Sequence, residues 1–279
     1  MAEISIKIDG DLLIDKNPTL RTLAIVTTNL QAALSRAYLE TRYGYVRKYQ
    51  KNSYNDLANF DFVLSSVRKG SWIGDLISAS RFSDAIAQKI SEVISPIYEL
   101  CGTKIDKYLY ESTEIYDHDG GIMYKSAVNN PPKDISIGYQ NKSIASYIDK
   151  SLSPLRLREI LDAELQYTFA FNGDKRIFTF NRNKAFEFKK HTSSKYYYVQ
   201  VIYRAKIVEM DEIKNTAFFI NLDSDIAYRQ RLLFDDKTSF DEARKYFGIN
   251  EFSFIGRPVI ECGSLDIYCG DVLFCRINK

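Results

Sequence analysis

Alternating apolar and polar residues open the chain. Residues 4–8 read Ile-Ser-Ile-Lys-Ile, and this period of two predicts a half-buried strand. Apolar residues then recur at helical spacing within 19–43. The run Asn17-Pro18-Thr19 predicts the start of this helix, and Gly44 predicts its end. An amphipathic helix of this length has to bury its apolar stripe against a sheet or a partner.

A hairpin and a second helix are predicted next. Residues 61–67 and 72–77 are apolar runs separated by a glycine-containing turn, which is typical of two paired strands. Apolar residues within 86–100 share one helix face, and Pro96 is expected to kink or shorten that helix. Together these elements predict an N-terminal α+β domain over residues 1–128.

The middle of the chain is predicted to connect two domains. Pro131 and Pro132 forbid a helix and interrupt strand pairing, which favours a linker at this point. A helix is predicted to follow over 153–165. The linker and connecting helix therefore span residues 129–166.

The remainder of the chain, 167–279, reads as a strand-rich domain. One short helix is predicted at 239–247, followed by two or three strands within 256–277. Strands at this spacing with one inserted helix predict a small β-barrel of the OB or SH3-like kind, so the fold class is α+β. The earlier strands of this domain are predicted at about 167–171, 175–181, 184–190, 195–208, 215–222 and 228–234.

Short segments of both halves resemble a group of bacterial proteins. These are uncharacterised two-domain proteins with a small C-terminal β-barrel, some encoded among phage-defence or mobile-element genes. The resemblance implies an architecture and a context, and it implies no activity and no functional residue. It is carried by residues 8–10, 30–37, 69–76, 203–211, 217–220, 254–259 and 263–268.

Charge, apolar runs and cysteine content bear on the partners, the cellular location and the cofactors that we expect. The 38 basic and 36 acidic residues give a net charge of +2, which requires no nucleic-acid partner, and the small basic excess lies in the second half. The chain shows neither a secretory signal pattern nor an apolar run long enough to span a bilayer, so we expect a cytoplasmic protein without membrane contact. Four cysteines without a CxxC pair, and two histidines, predict neither a structural zinc site nor another cofactor.

The strongest candidate site is an aromatic and basic hairpin at 175–190. Cations interleaved with aromatic rings on a sheet are how single-stranded nucleic acid is held, because bases stack on rings and phosphates meet Lys or Arg. The alternative is that the four phenylalanines are core residues and the cations solvated ends, since any half-buried strand alternates in this way. One strand is predicted to present Arg176, Phe178, Phe180 and Arg182 on one face, and the next Lys184, Phe186, Phe188 and Lys190.

A second candidate is catalytic. Asp174, followed by Glu187 and Lys189 on one predicted strand, has the order of a metal-dependent nuclease site, in which two carboxylates hold Mg²⁺ and the lysine positions water. Glu-x-Lys also occurs by chance, and that fold needs helices that a β-rich region lacks.

Three further groups of residues have both a functional and an ordinary structural interpretation. The acidic run 117–119 before Gly120 is either a cation loop or a polar turn. Trp72 with Asp75 marks either an interface anchor or hairpin packing. A Cys-His nucleophilic pair, or alternatively buried thiols, is represented by His191 with Cys262, Cys269 and Cys275.

The sequence contains no Walker A, GxGxxG, HExxH or GxSxG motif, which argues against an enzyme. The leading hypothesis is a non-enzymatic binding or assembly protein, an accessory or sensor component of a phage-defence or mobile-element system. Its barrel would bind nucleic acid or a protein, and the helix at 19–43 would dock a protein partner or a second copy. The alternatives are a structural or signalling subunit that contacts only proteins, and a metal-dependent nuclease.

Overall fold

The chain folds into two compact units, each assembled from two separate stretches of sequence. Unit 1 comprises Met1–Ile105 and Gln140–Ser194, and unit 2 comprises Asp106–Tyr139 and Lys195–Lys279. The predicted boundaries after residues 128 and 166 do not coincide with this division, because the strands after residue 166 complete the sheet of unit 1. The structure is a computed structural model that describes residues 2–44, 46–47, 50–68, 71–102, 122–125, 136–137, 140–225 and 228–278.

Helices and strands alternate irregularly along the chain, as expected for an α+β protein. Short 3-10 turns occur at Tyr54–Asn59 and Ser153–Arg156. In chain order the described elements are β1 (Glu3–Gly10), β2 (Leu13–Ile14), β3 (Asn17–Pro18), α1 (Leu20–Tyr43), β4 (Val63–Arg68), β5 (Trp72–Ile77), α2 (Ser83–Leu100), β6 (Ile122–Met123), β7 (Ser136–Ile137), α3 (Gln140–Ser151), β8 (Ala163–Phe171), β9 (Asp174–Phe180), α4 (Arg182–Ser193), β10 (Lys195–Tyr197), β11 (Val201–Asp211), β12 (Thr216–Asn221), β13 (Arg229–Leu233), α5 (Lys237–Arg244), β14 (Phe252–Glu261), β15 (Ser264–Leu265) and β16 (Val272–Ile277).

Unit 1 contains a five-stranded antiparallel sheet in the order β4-β5-β1-β8-β9. The predicted strand at 4–8 is its centre. One face of β1 carries Ile4, Ile6 and Ile8, which are all buried, and the other face carries Ser5 and Lys7. Because side chains alternate across a strand, one face packs on helices and the other stays polar.

Helix α1 confirms the prediction at 19–43, with two corrections. The side chain of Thr19, not of Asn17, caps the helix by accepting a hydrogen bond from the backbone N–H of Thr22, and Asn17–Pro18 belongs to a short strand. Gly44 ends the helix in a left-handed conformation, as predicted. The buried stripe of α1 packs inside unit 1 against α2 and α3, so the apolar face predicted to dock a partner is already covered.

Two other local predictions have opposite outcomes. The hairpin predicted at 61–77 is confirmed by the antiparallel pair β4 and β5. The helix predicted at 153–165 is wrong, because Pro154 starts only a single 3-10 turn and the alternating residues from 163 onward enter the sheet as β8. The predicted linker at 129–134 lies outside the described residues.

Unit 2 is a closed five-stranded β-barrel. Its strands follow the order β11-β12-β13-β16-β14, and β14 pairs with β11 to close the circle. The β13–β16 pair is parallel and the other barrel pairs are antiparallel. A bulge between Ile207 and Glu209 lets β11 pair with β14 along its first half and with β12 along its second half.

Aromatic rings fill the barrel. Tyr203 stacks on Phe254 with ring centroids 5.1 Å apart, and Phe219 meets both rings edge-on at 5.7 and 5.3 Å. All three side chains are buried. The helix predicted at 239–247 is α5, whose first turn is capped by the Asp236 carboxylate.

Candidate nucleic-acid interface

The aromatic and basic hairpin predicted at 175–190 does not form. Its first strand is β9, but residues 182–193 are the helix α4 instead of a second strand. The Asn181 side chain accepts a hydrogen bond from the backbone N–H of Lys184 at 3.0 Å and caps this helix, where a turn was predicted. The buried residues Ala185, Phe188 and Thr192 are three and four positions apart, which is helical periodicity.

The phenylalanines of this segment are mostly core residues. Phe178, Phe180 and Phe188 are buried in unit 1, and Phe180 meets Phe188 edge-on at 5.4 Å. The Tyr98 ring of α2 covers Phe178 and Phe180 at 5.4 and 5.2 Å. Phe186 is 45% exposed. The alternative interpretation, in which these rings belong to a core, therefore describes the structure better than a stacking platform.

The cations of the same segment all contact other groups of unit 1. Arg176 and Lys184 meet side chains one turn apart on α2, whereas Arg182 and Lys190 bond elsewhere. Arg176 donates to Ser95 Oγ at 3.3 Å, Lys184 to Tyr98 OH at 2.6 Å, Arg182 to the carbonyl of Leu157 at 3.1 Å, and Lys190 Nζ lies 3.8 Å from Glu187.

The nuclease arrangement is also not assembled. Glu187 and Lys189 are two positions apart on α4, so they point to different sides of the helix. Asp174 begins β9. Within the described ranges no cluster of three or more His, Cys, Asp or Glu side chains could hold a metal ion.

The remaining sequence candidates are engaged in contacts of the fold or lie outside the described residues. The acidic run 117–119 lies outside the described residues. Burial raises the pKa of the Cys275 thiol, which disfavours the thiolate that a nucleophile needs. His191 Nε2 contacts the carbonyl of Leu100 at 3.1 Å.

The candidate Trp72 packs within the β4–β5 hairpin. Its ring lies over Gly74, where a Cβ atom would come within 2.6 Å of the ring.

The sequence did not single out a surface that the barrel creates. Side chains of β11, β12 and β13 alternate between the barrel core and the outside. The outward set includes four cations and one aromatic ring, and also Glu209, Thr216 and Leu233. We refer to its basic and large apolar members named next as the barrel face. It comprises Arg204, Lys206, Phe218, Ile220, Arg229 and Arg231.

Phe218 lies at the centre of the barrel face. It is half-buried, and in the strand register it stands opposite Arg231 on β13 and Glu209 on β11. The Arg229 guanidinium lies 6.0 Å from the centroid of the Phe218 ring. An aromatic ring in contact with one guanidinium, with a second arginine opposite it in the strand register, combines an apolar surface with positive charge.

Acidic side chains hold the cations of the barrel face in place. Arg229 pairs with Glu209 at 3.3 Å, and Arg204 pairs with Glu251 at 2.9 Å. The hydrogen bond from Arg204 keeps the pKa of Glu251 below its usual range. Arg231 bonds the buried carboxylate of Asp271. These pairs orient the guanidinium groups and also reduce the net positive charge of the face.

Two connections border the barrel face. The β11–β12 turn carries Ile213, which is 98% exposed, next to Lys214. The segment between β15 and β16 is anchored because the carbonyl of Ile267 accepts hydrogen bonds from Tyr124 OH at 2.8 Å and from Gln230 Nε2 at 3.3 Å. The first of these connections projects into solvent, and the second is tied to the barrel by hydrogen bonds.

Comparisons of the chain with protein-family models, with curated proteins and with solved structures found no match. None of the helices in the described part of the chain combines the length and the apolar composition that crossing a bilayer requires.

Proposed function

We propose that the barrel of unit 2 is an OB-fold. Three features support this assignment: the strand order, the parallel pairing of the third and fifth barrel strands, and the helix α5 between the third and fourth. In OB-folds the second and third strands and the loops next to them bind oligonucleotides or oligosaccharides. In this chain those strands are β12 and β13, which carry Phe218, Arg229 and Arg231.

The protein is, in this proposal, a non-enzymatic binding protein that holds single-stranded nucleic acid on the barrel face. The observation that carries it is the Phe218 ring with the Arg229 guanidinium 6.0 Å from its centroid and Arg231 opposite it in the register of β12 and β13. A base stacks on the ring, and the guanidinium groups meet the flanking phosphates. The resemblance to bacterial proteins encoded among phage-defence genes stays a prediction about context.

The acidic partners decide how strongly the face binds. Binding a phosphate requires Arg229 to exchange Glu209 for the ligand, and both side chains are more than half exposed, so the exchange is inexpensive. Arg231 differs, because removing it would leave the buried Asp271 carboxylate without that cation. We therefore expect Arg229 to carry the salt-dependent part of binding and Arg231 to serve the fold as well.

The test is a fluorescence anisotropy titration with labelled single-stranded DNA and RNA and with a duplex control, at low and at moderate salt. Stacking on an aromatic ring contributes about 1–3 kcal/mol per base, so Phe218→Ala should weaken single-strand binding by about 5- to 150-fold. Arg229→Gln should lower the slope of log affinity against log salt by about 0.7.

The matched control is Phe186→Ala, which removes a 45% exposed ring from unit 1 and should leave the affinity unchanged. Unchanged binding by Phe218→Ala together with loss of binding by Phe186→Ala would move the site to unit 1. Absence of any oligonucleotide binding at low salt would remove the proposal.

A further inference from the structure

Strand β4 forms one edge of the sheet in unit 1 and leaves its apolar residues in solvent. All six of its residues are exposed, with Val63 at 66%, Leu64 at 51% and Val67 at 53%. Within the described residues β5 is the strand that pairs with it, so the backbone groups on its outer side have no ladder partner there. Such an edge is a template for pairing with another chain.

The two edges of this sheet are built differently. Strand β9, at the opposite edge, carries the adjacent cations Lys175 and Arg176, and charges on an edge discourage pairing. The charge on β4 belongs to Arg68, which already bonds the Asp75 carboxylate at 2.7 Å. The β4 edge therefore carries one paired cation where β9 carries two adjacent ones, and its bulge interrupts regular pairing at Ser65.

A bulge places Leu64 and Val67 of β4 on one face. The register passes from Leu64 opposite Leu76 to Val67 opposite Gly74, with the irregularity at Ser65. Residues three apart in a regular strand would lie on opposite faces, but here Leu64 and Val67 share the face that carries Leu76. Beside this face a groove of about 330 Å³ is lined by Leu30, Leu34, Phe62 and Leu76, among others.

We infer that a second copy of this chain covers the edge, with the two β4 strands antiparallel about a two-fold axis. A register centred between Ser65 and Ser66 sets Leu64 opposite the second copy's Val67, and each serine opposite a serine. No like charges face each other in this register, because Arg68 falls opposite Val63 of the other copy. The edge is thus complementary to itself, as a two-fold interface requires.

The paired edges join two five-stranded sheets into one continuous sheet. Backbone hydrogen bonds supply the pairing, and two Leu64–Val67 contacts, one on each side of the axis, shield the grooves beside them. The arginine stem covers Val63 while its guanidinium stays with Asp75. This interface involves unit 1 alone, so it is independent of nucleic-acid binding by unit 2.

The experiment is sedimentation of the full chain over a range of concentrations from low to several hundred micromolar, without nucleic acid. We expect a reversible dimer. Val67→Lys places two charges at the interface and should raise the dimer dissociation constant by about tenfold or more. Ile177→Lys is the matched control, since Ile177 is a 49% exposed residue of the other edge, β9, and should leave the dimer unchanged.

Cross-linking gives a second, independent readout. The double variant Leu64→Cys with Val67→Cys should form disulfides between copies on oxidation, and the wild type treated in the same way corrects for the native cysteines. A chain that stays monomeric at all concentrations overturns the inference. A dimer that resists Val67→Lys and shows no added cross-link in the double variant overturns it as well, because the contact then lies elsewhere.

Discussion

At the scale of single residues, Asp75 shows how a charged group is kept on a sheet. Its side chain is nearly buried, and burial alone would raise its pKa. Hydrogen bonds from Ser66, Ser5 and Arg68 outweigh burial and hold the pKa below the ordinary value of 3.8. The hydroxyl groups matter most for stability, because the Arg68 side chain is 59% exposed and its ion pair is screened by solvent.

The variant Asp75→Asn should lower the free energy of unfolding by about 1–2 kcal/mol at neutral pH, because the hydroxyl donors lose a charged acceptor. A depressed pKa stabilises the folded state above the unfolded pKa, and this stability is lost as pH falls through the folded pKa. The difference between wild type and variant should therefore shrink below pH 3.8. Urea denaturation of wild type and variant at neutral pH and below pH 3.8 measures this difference in the free energy of unfolding.

Glu164→Gln is the control for this prediction, since Glu164 is an exposed carboxylate of the same sheet. We expect it to change stability by less than about 0.5 kcal/mol. A gap between wild type and Asp75→Asn that widens on acidification would contradict the assigned direction of the Asp75 pKa.

At the scale of elements, α4 explains why the predicted hairpin is a helix. The segment Arg182–Ser193 contains Phe186 and Phe188 two apart, which fits a strand, but its buried residues follow a helical spacing. The decisive local feature is the Asn181 cap, which satisfies one of the first backbone donors of the helix. Where a short segment fits both periods, packing against neighbouring elements decides whether it becomes a strand or a helix. Here Phe188 packs on Phe180 of β9.

Asn181→Ala should therefore destabilise unit 1 by about 1 kcal/mol through loss of the α4 cap. Asn183→Ala is matched to it, because Asn183 is exposed within the first turn and alanine is the better helix former. Thermal unfolding followed by circular dichroism compares the two. Equal loss in both variants would mean that the cap does not stabilise α4.

At the scale of the whole molecule, the order of elements along the chain does not follow the two units. Unit 1 needs β8 and β9 from the second half of the sequence, because β1 pairs with β8 along its length. Unit 2 takes β6 from the stretch before α3 and pairs it with β11. Because of this long-range pairing, the folding of each unit requires segments that are distant in sequence to come together.

A fragment of residues 1–194 should fold cooperatively, whereas a fragment of residues 1–166 should not. The shorter fragment keeps the apolar face of β1 but loses Tyr167, Phe169 and the strand β9 that cover the same core. Urea unfolding of both fragments, followed by circular dichroism, checks the difference. A cooperative transition in the shorter fragment would contradict the central role of β8.

Sequence patterns predicted the elements whose stabilisation is local. Strand β1, helix α1 with its glycine stop, and the β4–β5 hairpin have one clear period or one clear turn, so they could be recognised without neighbours. The barrel was also predicted from the spacing of its strands. The error in the candidate site came from assigning Phe178 and Phe180 to an open hairpin, when the rings of α2 and α4 bury them.

The sequence by itself determined which residues alternate and where α1 ends, because these follow from side-chain period and backbone conformation over a few positions. Only the tertiary structure decided which strands close the barrel, because β8 and β9, which the sequence assigned to it, belong to the sheet of unit 1. It likewise decided that Phe218 stands opposite Arg231 and meets the Arg229 guanidinium, since those residues come together through the register of β12 and β13. Register depends on pairing between segments, and no property of either strand alone specifies it.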